Sequence, residues 1–344
     1  MGTEASSAAS SRRKATIRDV AQRAGVSITT VSHVMNEKGQ LSERTRTRVL
    51  RAARELDYQA DALARGLRQR RIGAIGLVIR ALDSMREYAP SGVEIFAQFI
   101  AELSGQALSR GYTVTLLPDL STRPIPALSF ALDGYVVVGP RRDDPVTGLL
   151  RDRGIPYVCY GRQPGDDGTN WVCEDDRLSA RQLLAHLGSG GENSIALLRG
   201  TEDDAWNEDY VAEYRAWCEA HGHVERIYAS PERDGVAGGA AAAERVFADG
   251  APDALLCLTG RHAAGAQLRL QELGVEIPKQ MLIAAGSDSE QTRAARPAIT
   301  AFHFSPVSTA TAILDLLEDR LGGREPRPAI PYLPRLMMRA STRR

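Results

Sequence analysis

The sequence predicts an all-α helix-turn-helix head followed by an α/β body whose two lobes are built on parallel sheets. Three observations support this fold class. Residues 16–56 read as three short helices separated by turns. From residue 74, short apolar runs alternate with amphipathic stretches, a pattern typical of parallel sheets with helical crossovers. The chain is also 344 residues long, which suggests more than one domain.

Charge is distributed unevenly along the chain. Overall, 43 Lys and Arg residues balance 43 Asp and Glu residues. Residues 1–72 nevertheless contain 15 basic and 7 acidic residues, and the remainder contains 28 and 36. A basic head on an acidic body is compatible with nucleic-acid binding through the head, even though the total charge is zero.

The first two helices are predicted to meet at a tight turn. Thr16 and Asp19 form a helix-start pair close to a capping box, with Asp in place of Glu. Gly25 follows apolar residues at helical spacing, where the turn needs a residue that tolerates positive φ. Ser27 is a good N-cap for the second helix. Two helices that cross at such a turn form a helix-turn-helix.

A third helix is predicted to begin after Ser42 as its N-cap. Its outer face is rich in arginine, at positions Arg44, Arg46, Arg48, Arg51 and Arg54. An ordinary helical hairpin is the alternative interpretation of the first two helices. The arginine-rich third helix and the basic head favour nucleic-acid binding instead.

Three segments carry a resemblance to a known family. They read TIRDVAQRAGVSITTVSHVMN, LSERTRTRVL and ELDYQADALARGLR. Together they resemble the LacI/GalR family of bacterial transcriptional regulators, and the second helix is most similar to the purine-repressor branch. The resemblance implies a sequence-specific regulator, expected to be a repressor, that binds a pseudopalindromic operator as a homodimer. Residues 15–60 are then the DNA-binding domain, preceded by a disordered arm over residues 1–14.

The resemblance also implies which residues contact DNA. Ile28, Thr29 and His33 fall where the family meets base edges in the major groove, and each has suitable chemistry for a thymine methyl or a base hydrogen bond. Packing is the competing interpretation for Ile28, and solvent exposure without base contact is the one for His33. Residues assigned to the phosphates, which position the helix without reading sequence, are Thr16, Thr30, Ser32 and Asn36.

Residues 61–71 correspond to a hinge helix that orders when two subunits bind the operator. By register, Leu67 is the apolar wedge that enters the minor groove. The other side chains expected at the groove or backbone are Ala64, Arg65 and Arg68. Ala60-Asp61 stands where the family usually has Pro-Asn, and a charged linker is the alternative. Because so short a helix is marginal in water, hinge ordering coupled to DNA binding is the expected switch.

The body, residues 72–344, is expected to bind an effector and to dimerise. Predicted strands are Ala74–Ile79, Thr113–Leu117, Gly134–Val138, Tyr157–Tyr160, Ser194–Leu198, Ala254–Leu258 and Met281–Ala285. Predicted helices include 95–110, 178–187, 210–221, 238–249 and 263–273. The resemblance implies a periplasmic-binding-protein-like core. Its first lobe covers about 72–173 and 304–333, and its second lobe covers about 174–303 and 334–344.

An effector is expected in the cleft between these lobes, beyond the carboxyl ends of the strands. Candidate contacts are Phe96, Tyr160, Arg162, Trp206, Tyr210 and Asp288. Two positions depart from the family: Tyr210 stands where most members have a ligand-clamping arginine, and Gly260 replaces the usual aspartate. Loss of the arginine removes a two-point grip on hydroxyls or a carboxylate. The sequence therefore leaves two effector classes open, a sugar and another ring-containing metabolite. For each candidate residue, an ordinary core or surface role is the alternative.

Several classes are disfavoured by the sequence. The sequence contains no run of 18 apolar residues that could span a membrane. The N-terminus lacks a secretory signal, so a cytoplasmic protein is expected. Cysteine and histidine spacing indicates no metal site, no cofactor is expected, and no catalytic motif indicates an enzyme. Alternatives are a regulator that has lost small-molecule control, and a solute-binding protein or enzyme of the same body fold. The lack of a heptad-bearing tail after Arg339 favours a dimer over a tetramer.

Overall fold

The computed structural model describes residues 15–35, 41–56, 58, 72–80, 94–122, 124–126, 128–165, 168–191, 194–324 and 331–343. The chain divides into two compact units between residues 72 and 73. Several predicted features lie outside the described residues. They are the arm over residues 1–14, Asn36, and the hinge residues Ala64, Arg65, Leu67 and Arg68.

The first unit contains three helices: α1 (Ile17–Ala24), α2 (Ile28–Met35) and α3 (Glu43–Glu55). A capping box begins α1, since the Thr16 side chain accepts from the Asp19 backbone and the Thr16 N–H donates to the Asp19 carboxylate at 2.7 Å. Gly25 ends the helix with φ of 60°. That left-handed conformation favours glycine, and it turns the chain directly into α2. The predicted helix-turn-helix is confirmed.

A small apolar core holds the three helices together. Val20, Val31 and Val49, one from each helix, are fully buried, and burial of each side chain contributes about 1.5–3 kcal/mol. Small residues such as Ala21 and Ala53 fill the space between them. This core orients α2 so that its opposite face is exposed.

The second unit alternates strands and helices. The strands are β1 (Ala74–Ile79), β2 (Thr113–Leu117), β3 (Gly134–Val138), β4 (Tyr157–Tyr160), β5 (Trp171–Val172), β6 (Ile195–Arg199), β7 (Ile227–Ala229), β8 (Ala254–Cys257), β9 (Leu282–Ala285), β10 (Thr300–His303) and β11 (Arg335–Met337). The helices are α4 (Glu94–Ser109), α5 (Pro145–Asp152), α6 (Asp176–Gly188), α7 (Ala205–His221), α8 (Gly235–Ala248), α9 (Gly260–Glu272), α10 (Glu290–Ala294) and α11 (Pro306–Leu321). All seven predicted strands are present, with ends within one residue.

Two sheets define two lobes. The first sheet has the order β2-β1-β3-β4-β5 and its paired strands are parallel. The second has the order β11-β10-β9-β8-β6-β7, in which β11 runs antiparallel to β10 and the other pairs are parallel. In each sheet the direction in which successive strands are added reverses beside one strand, which is β1 in the first sheet and β6 in the second. Such a switch point opens a crevice at the carboxyl ends of the strands.

Helices cover both faces of each sheet, so the central strands are apolar throughout. In β3, Val136 and Val138 enter one core while Tyr135 and Val137 enter the core on the opposite face. This alternation follows from the two-residue period of a strand. Within the described residues, no helix is long and apolar enough to cross a membrane.

The chain crosses between the lobes at three adjacent segments. One is the segment from Cys173 to Asp175, which pairs with Tyr332 through a parallel bridge at Glu174 and a 2.9 Å bond from the Asp175 N–H to the Tyr332 carbonyl. The segment around Tyr332 is another crossing. The remaining one follows β10, after which α11 packs on α4 of the first lobe. These segments therefore connect the two lobes covalently.

Candidate functional site

Helix α2 exposes the face opposite its buried valines. Thr29 and His33, one turn apart on that face, are exposed. Ile28 is 46% exposed at the start of the same helix. Packing therefore covers only part of the Ile28 side chain. The three residues predicted to meet base edges are all accessible, Ile28 and Thr29 in the first turn of α2 and His33 in its last turn.

Two of the hydroxyls predicted to contact phosphates form hydrogen bonds at the starts of helices. The Thr16 hydroxyl donates to the Asp19 carboxylate at 2.7 Å. The Thr30 N–H donates to the Ser27 hydroxyl at 3.0 Å, and the two hydroxyls lie 2.9 Å apart. Ser32 is partly buried on α2. A phosphate contact by Thr16 or Thr30 would therefore share a hydroxyl already used within the head.

Helix α3 carries most of its predicted arginines on the exposed face. Arg46 is partly buried, whereas the exposed ones are Arg44, Arg48, Arg51 and Arg54. One further contact ties this helix to α1, where Arg23 pairs with Glu55 at 2.5 Å. Because that pair is solvent-exposed, it contributes little to stability. The positive charge of α3 remains available to a polyanion.

A cleft of about 260 Å³ lies between the two lobes of the second unit. Its lining residues follow the carboxyl ends of strands in both sheets. Arg80, Gly139 and Gly161 come after β1, β3 and β4, and Thr259 and Ser287 come after β8 and β9. This is the location expected for a ligand in sheets with a switch point.

Four aromatic residues lie on the cleft lining. Phe96 and Tyr160 line it from the first lobe, and Trp206 and Phe304 lie on the lining as well. Tyr160 packs against Phe99 with ring centroids 5.2 Å apart. Flat apolar surfaces of this kind stack well on rings. The structure therefore brings the predicted residues Phe96, Tyr160 and Trp206 to one cavity.

Tyr210 is not among the described residues that line the cleft. It is 1% exposed and packs in the core of the second lobe, edge-on to Trp206 with centroids 6.0 Å apart. A Cβ at Gly286 would lie 3.1 Å from its ring. The side chain that stands in place of the family arginine is thus a core residue, and it supports Trp206 from behind.

Asp288 lines the cleft, but its carboxylate is already occupied. Arg339 donates to its two oxygens at 2.8 and 2.7 Å, the Ser289 N–H donates at 3.0 Å, and the Thr292 hydroxyl donates as well. Burial opposes ionisation, but the hydrogen bonds from Arg339 and Thr292 outweigh it and lower the pKa of Asp288. This aspartate organises the cleft floor through contacts with its own lobe.

Arg162 reaches across the cleft to the other lobe. One of its terminal nitrogens donates to both oxygens of Asp209, at 2.9 and 2.8 Å. Arg177 of α6 donates to the same carboxylate at 2.9 Å. Burial lowers the pKa of Arg162, but the hydrogen bonds and the charge of Asp209 outweigh burial, so the pKa is raised overall. Arg162 therefore connects the lobes, with its charge committed to Asp209.

Further ion pairs connect the lobes at the rim. Arg141, after β3, pairs with Glu202, after β6, at 2.7 Å. Glu94 of α4 pairs with Arg293 of α10 at 2.6 Å. Both pairs join residues of different lobes, so they help to hold the relative position of the lobes. Sequence analysis did not identify either pair.

Two carboxylates that the sequence analysis missed also line the cleft. Glu174 is 7% exposed and accepts from the Tyr160 hydroxyl at 3.0 Å and the Tyr332 hydroxyl at 2.5 Å. Asp176 begins α6 two residues later. Burial raises the pKa of both carboxyl groups, and for Asp176 the neighbouring charge of Glu174 adds to the rise. Burial and Glu174 likewise raise the pKa of the Tyr160 hydroxyl.

Asp204 and Glu232 form a second acidic pair on the lining. Asp204 caps α7 by accepting from the Asn207 N–H at 2.8 Å, while the Asn207 side-chain amide donates to Glu232 at 3.0 Å. Burial raises the pKa of Asp204 to about 6, and the nearby charges of Glu232 and Glu202 contribute to the rise. Of these four acids, Asp204 alone follows a strand that the sequence predicted, β6, and that position is the signal that could have identified it.

Gly260 lines the cleft at the first position of α9. A Cβ at this position would lie 2.6 Å from the Ser287 carbonyl oxygen and 2.8 Å from the Ser289 hydroxyl. The backbone after β9 occupies the space that an aspartate would need. The departure from the family at this position therefore has a steric cause.

The described residues offer no group of three or more His, Cys, Asp or Glu side chains that could hold a metal ion. Cys159, Cys173, Cys218 and Cys257 are buried and free. Burial raises the pKa of the Cys173 thiol, so it is a poor nucleophile at neutral pH.

Comparison with known proteins places this geometry in a family. Residues 16–61 match the model described as bacterial regulatory proteins, lacI family, and residues 184–342 match the model of a periplasmic binding protein-like domain. The HTH-type transcriptional regulator CelR of Thermobifida fusca is 30% identical over 327 residues, which cover 92% of this chain and 95% of CelR. The chain belongs to the LacI family.

Other relatives agree with this assignment. The HTH-type transcriptional repressor PurR of Klebsiella pneumoniae is 29% identical over 339 residues, 95% of this chain and 96% of PurR. The lac repressor dimer bound to operator and the anti-inducer ONPF superposes with a TM-score of 0.80 at 20% identity, covering 96% and 99% of the two chains. The complex of the regulator CelR with cellobiose gives 0.67 at 24% identity, covering 95% and 99%.

The family and fold predictions are therefore confirmed. This LacI-family chain combines a helix-turn-helix head with a two-lobed periplasmic-binding-protein-like domain. It is a DNA-binding transcriptional regulator and not an enzyme. Among the similar structures, the lac repressor is bound to operator and ONPF, and CelR is in complex with cellobiose.

Proposed function

We propose that this LacI-family regulator represses transcription from a pseudopalindromic operator as a homodimer, and that a small molecule in the interlobe cleft controls its affinity. The observation that carries this proposal is the cleft itself. Both sheets contribute its lining at their carboxyl ends, and ion pairs connect its two sides. A ligand that favours one arrangement of the lobes would shift the equilibrium between high and low operator affinity.

The head is proposed to read the operator through α2. Ile28 and Thr29 are exposed beside the Ser27 cap, and the N-terminal residues of a recognition helix meet base edges. His33 is exposed one turn after Thr29. Thr16, Thr30, Ser32 and Asn36 are proposed to contact the backbone. The exposed arginines of α3 add long-range attraction for phosphate.

The hinge proposal rests on sequence and family resemblance. Leu67 would open a base step at the centre of the operator, with Ala64, Arg65 and Arg68 beside it. Two hinges must meet for this to happen, so the proposal requires a dimer.

The effector is proposed to be a metabolite with a ring. The aromatic surfaces of Phe96, Tyr160 and Trp206 lie on the lining of one cavity of about 260 Å³, which suits a stacked ring or an apolar sugar face. CelR in the complex described above binds cellobiose, so a sugar is one candidate class for this chain.

A second candidate function is regulation without a small molecule. Asp288 and Arg162, both expected to bind the effector, are committed to Arg339 and Asp209. Tyr210 is buried in the core. If these contacts have replaced ligand contacts, the lobes would remain in one arrangement and operator affinity would not respond to metabolites.

The test uses operator duplexes selected from random-sequence DNA and fluorescence anisotropy with the full chain. Operator affinity is expected to change when a panel of ring-containing metabolites is added, and Trp206→Ala is expected to abolish that change while preserving unliganded binding. Leu67→Ala is expected to weaken operator binding much more than non-specific binding. No response to any metabolite would favour the second candidate, and equal losses with Leu67→Ala would contradict the hinge proposal.

A further inference from the structure

The cleft carries an excess of negative charge. Among its described lining residues, seven have carboxylates and five have guanidinium groups. Two of those five arginines are neutralised by acids that do not line the cleft: Arg80 pairs with Asp119 and Asp144 at 2.9 Å, and Arg162 pairs with Asp209. Two of the seven acids are likewise paired with arginines that do not line the cleft, Asp288 with Arg339 and Glu94 with Arg293. An excess of two carboxylates therefore remains at the lining.

Glu174 lies on the lining, and the hydrogen bonds that other side chains donate to its carboxylate go to one oxygen. The hydroxyls of Tyr160 and Tyr332 both donate to Oε1. Oε2 receives no hydrogen bond from any other described residue, although the side chain is 7% exposed and lines the cleft. An ionised carboxylate oxygen on a cavity lining is a strong acceptor for a ligand donor.

Asp176 is in a similar position on the same wall. No described residue donates a hydrogen bond to its carboxylate. The negative charges of Glu174, Asp204 and Asp209 act on it, and the positive charge of Arg162 opposes them only in part, because burial and the acids raise the pKa of Asp176 overall. Asp209 is compensated by Arg162 and Arg177, which both donate to it. No described cation forms an ion pair with Glu174 or Asp176. The two acids, one buried and one partly buried, together form a negative site on the lining of the cavity.

We propose that the effector of this cleft is a small organic cation, an amine-substituted ring or sugar, whose ammonium group binds between Glu174 and Asp176. This inference rests on the proposed function and narrows its ligand class. An ammonium group has three donors and a full positive charge. It would satisfy Oε2 of Glu174 and the carboxylate of Asp176 at once.

The surrounding walls suit the rest of such a ligand. Tyr160, which donates to Glu174, lies on the same wall, and Trp206 and Phe96 are also on the lining. Aromatic faces attract a cation and stack on a ring. A neutral ring would use the aromatic walls but would leave both acids without a counter-charge.

The test compares matched triplets of probes on hexose, cyclohexane and six-membered aromatic rings. Each triplet has an ammonium, a hydroxyl and a carboxylate member; glucosamine, glucose and glucuronate form the hexose triplet. Binding to the full-length protein is measured by thermal stabilisation and by tryptophan fluorescence. In at least one triplet the ammonium member is expected to bind about tenfold more tightly than the other two.

Variants test whether Glu174 and Asp176 are the residues that bind the ammonium group. Glu174→Gln and Asp176→Asn are expected to abolish the preference for the ammonium member, whereas Asp152→Asn, which removes an exposed acid at the end of α5, should retain it. Circular dichroism shows whether each variant is folded, and either cleft variant alone suffices. The proposal is overturned if no ammonium probe binds at millimolar concentration, if neutral or anionic probes bind as tightly, or if both folded variants retain the preference. A neutral probe that binds and shifts operator affinity would leave the proposed function intact.

Discussion

Asp288 and Arg339 form a two-point ion pair between residues 51 positions apart in the chain, at 2.8 and 2.7 Å. The pair joins the loop after β9 to the segment that follows β11, and the Asp288 side chain is 6% exposed. Sequence analysis had placed this aspartate in contact with an effector. The geometry gives it a second role, because its hydrogen bonds hold together the floor on which an effector would rest.

Asp288→Ala is expected to destabilise the second unit by about 3 kcal/mol, because it leaves the Arg339 charge unpaired in a largely buried setting. Urea denaturation followed by circular dichroism measures the effect. Glu276→Gln, which breaks an exposed pair with Lys279, is the control and should leave the midpoint unchanged. An Asp288→Ala protein of wild-type stability that merely fails to respond to effector would return Asp288 to the ligand-binding role.

Asp204→Asn is expected to stabilise the protein at pH 8 by about 1–2 kcal/mol. Asn caps a helix as well as Asp does, so the cap on α7 is retained and only the charge is lost. The pKa of Asp204 is raised to about 6 in the folded protein. An acid with a raised pKa destabilises the fold above that pKa, and this cost disappears as the pH falls below the unfolded value.

The gain from Asp204→Asn should therefore be full above about pH 7 and vanish near about pH 4. Denaturation of both proteins across this range measures it. A gain of equal size at every pH would mean that the charge of Asp204 is not its source.

Arg162→Met and Arg177→Met offer a matched pair, since both arginines donate to Asp209 but only Arg162 comes from the other lobe. Arg162→Met is expected to loosen the contact between lobes and to speed amide hydrogen exchange in the crossing segments around Glu174 and Tyr332. Arg177→Met should leave that exchange near wild type. Similar acceleration in both variants would mean that it comes from the loss of a partner for Asp209, and not from the loss of a contact between the lobes.

Gly260→Ala is expected to destabilise the protein by about 1–3 kcal/mol, because its Cβ would lie 2.6 Å from the Ser287 carbonyl. Gly105→Ala in α4 is the control, since nothing lies within 4 Å of its Cβ. There the better helix propensity of alanine should stabilise by roughly 0.5–1 kcal/mol. Thermal unfolding distinguishes the two, and stabilisation by both substitutions would show that the cleft backbone can adjust at Gly260.

The sequence predicted most of the architecture because its signals are local. Thr16, Asp19 and Gly25 specify the start and end of α1, and continuous apolar runs such as β3 mark strands buried on both faces. The edge strands Trp171–Val172 and Ile227–Ala229 were missed. Runs of two or three residues are too short to show a period.

The cleft was predicted less completely because its contacts are long-range. The Arg162–Asp209 pair joins residues 47 positions apart, and no local pattern indicates such a contact. Tyr210 was placed in the cleft by resemblance, yet with Tyr214 and Cys218 it forms a stripe at four-residue spacing, and all three are buried. Helical periodicity would have assigned it to the core.

The most direct test of the central claim is selection of duplexes from random-sequence DNA with the full-length protein, followed by sequencing. A two-fold symmetric site should be enriched, and a Thr29→Ala, His33→Ala variant should relax it at one or two base pairs per half-site, by about 1–3 kcal/mol each. Gln22→Ala, an exposed change on α1, should select the wild-type site. Enrichment of no sequence, or of a site without two-fold symmetry, would contradict the assignment as a dimeric operator-binding regulator.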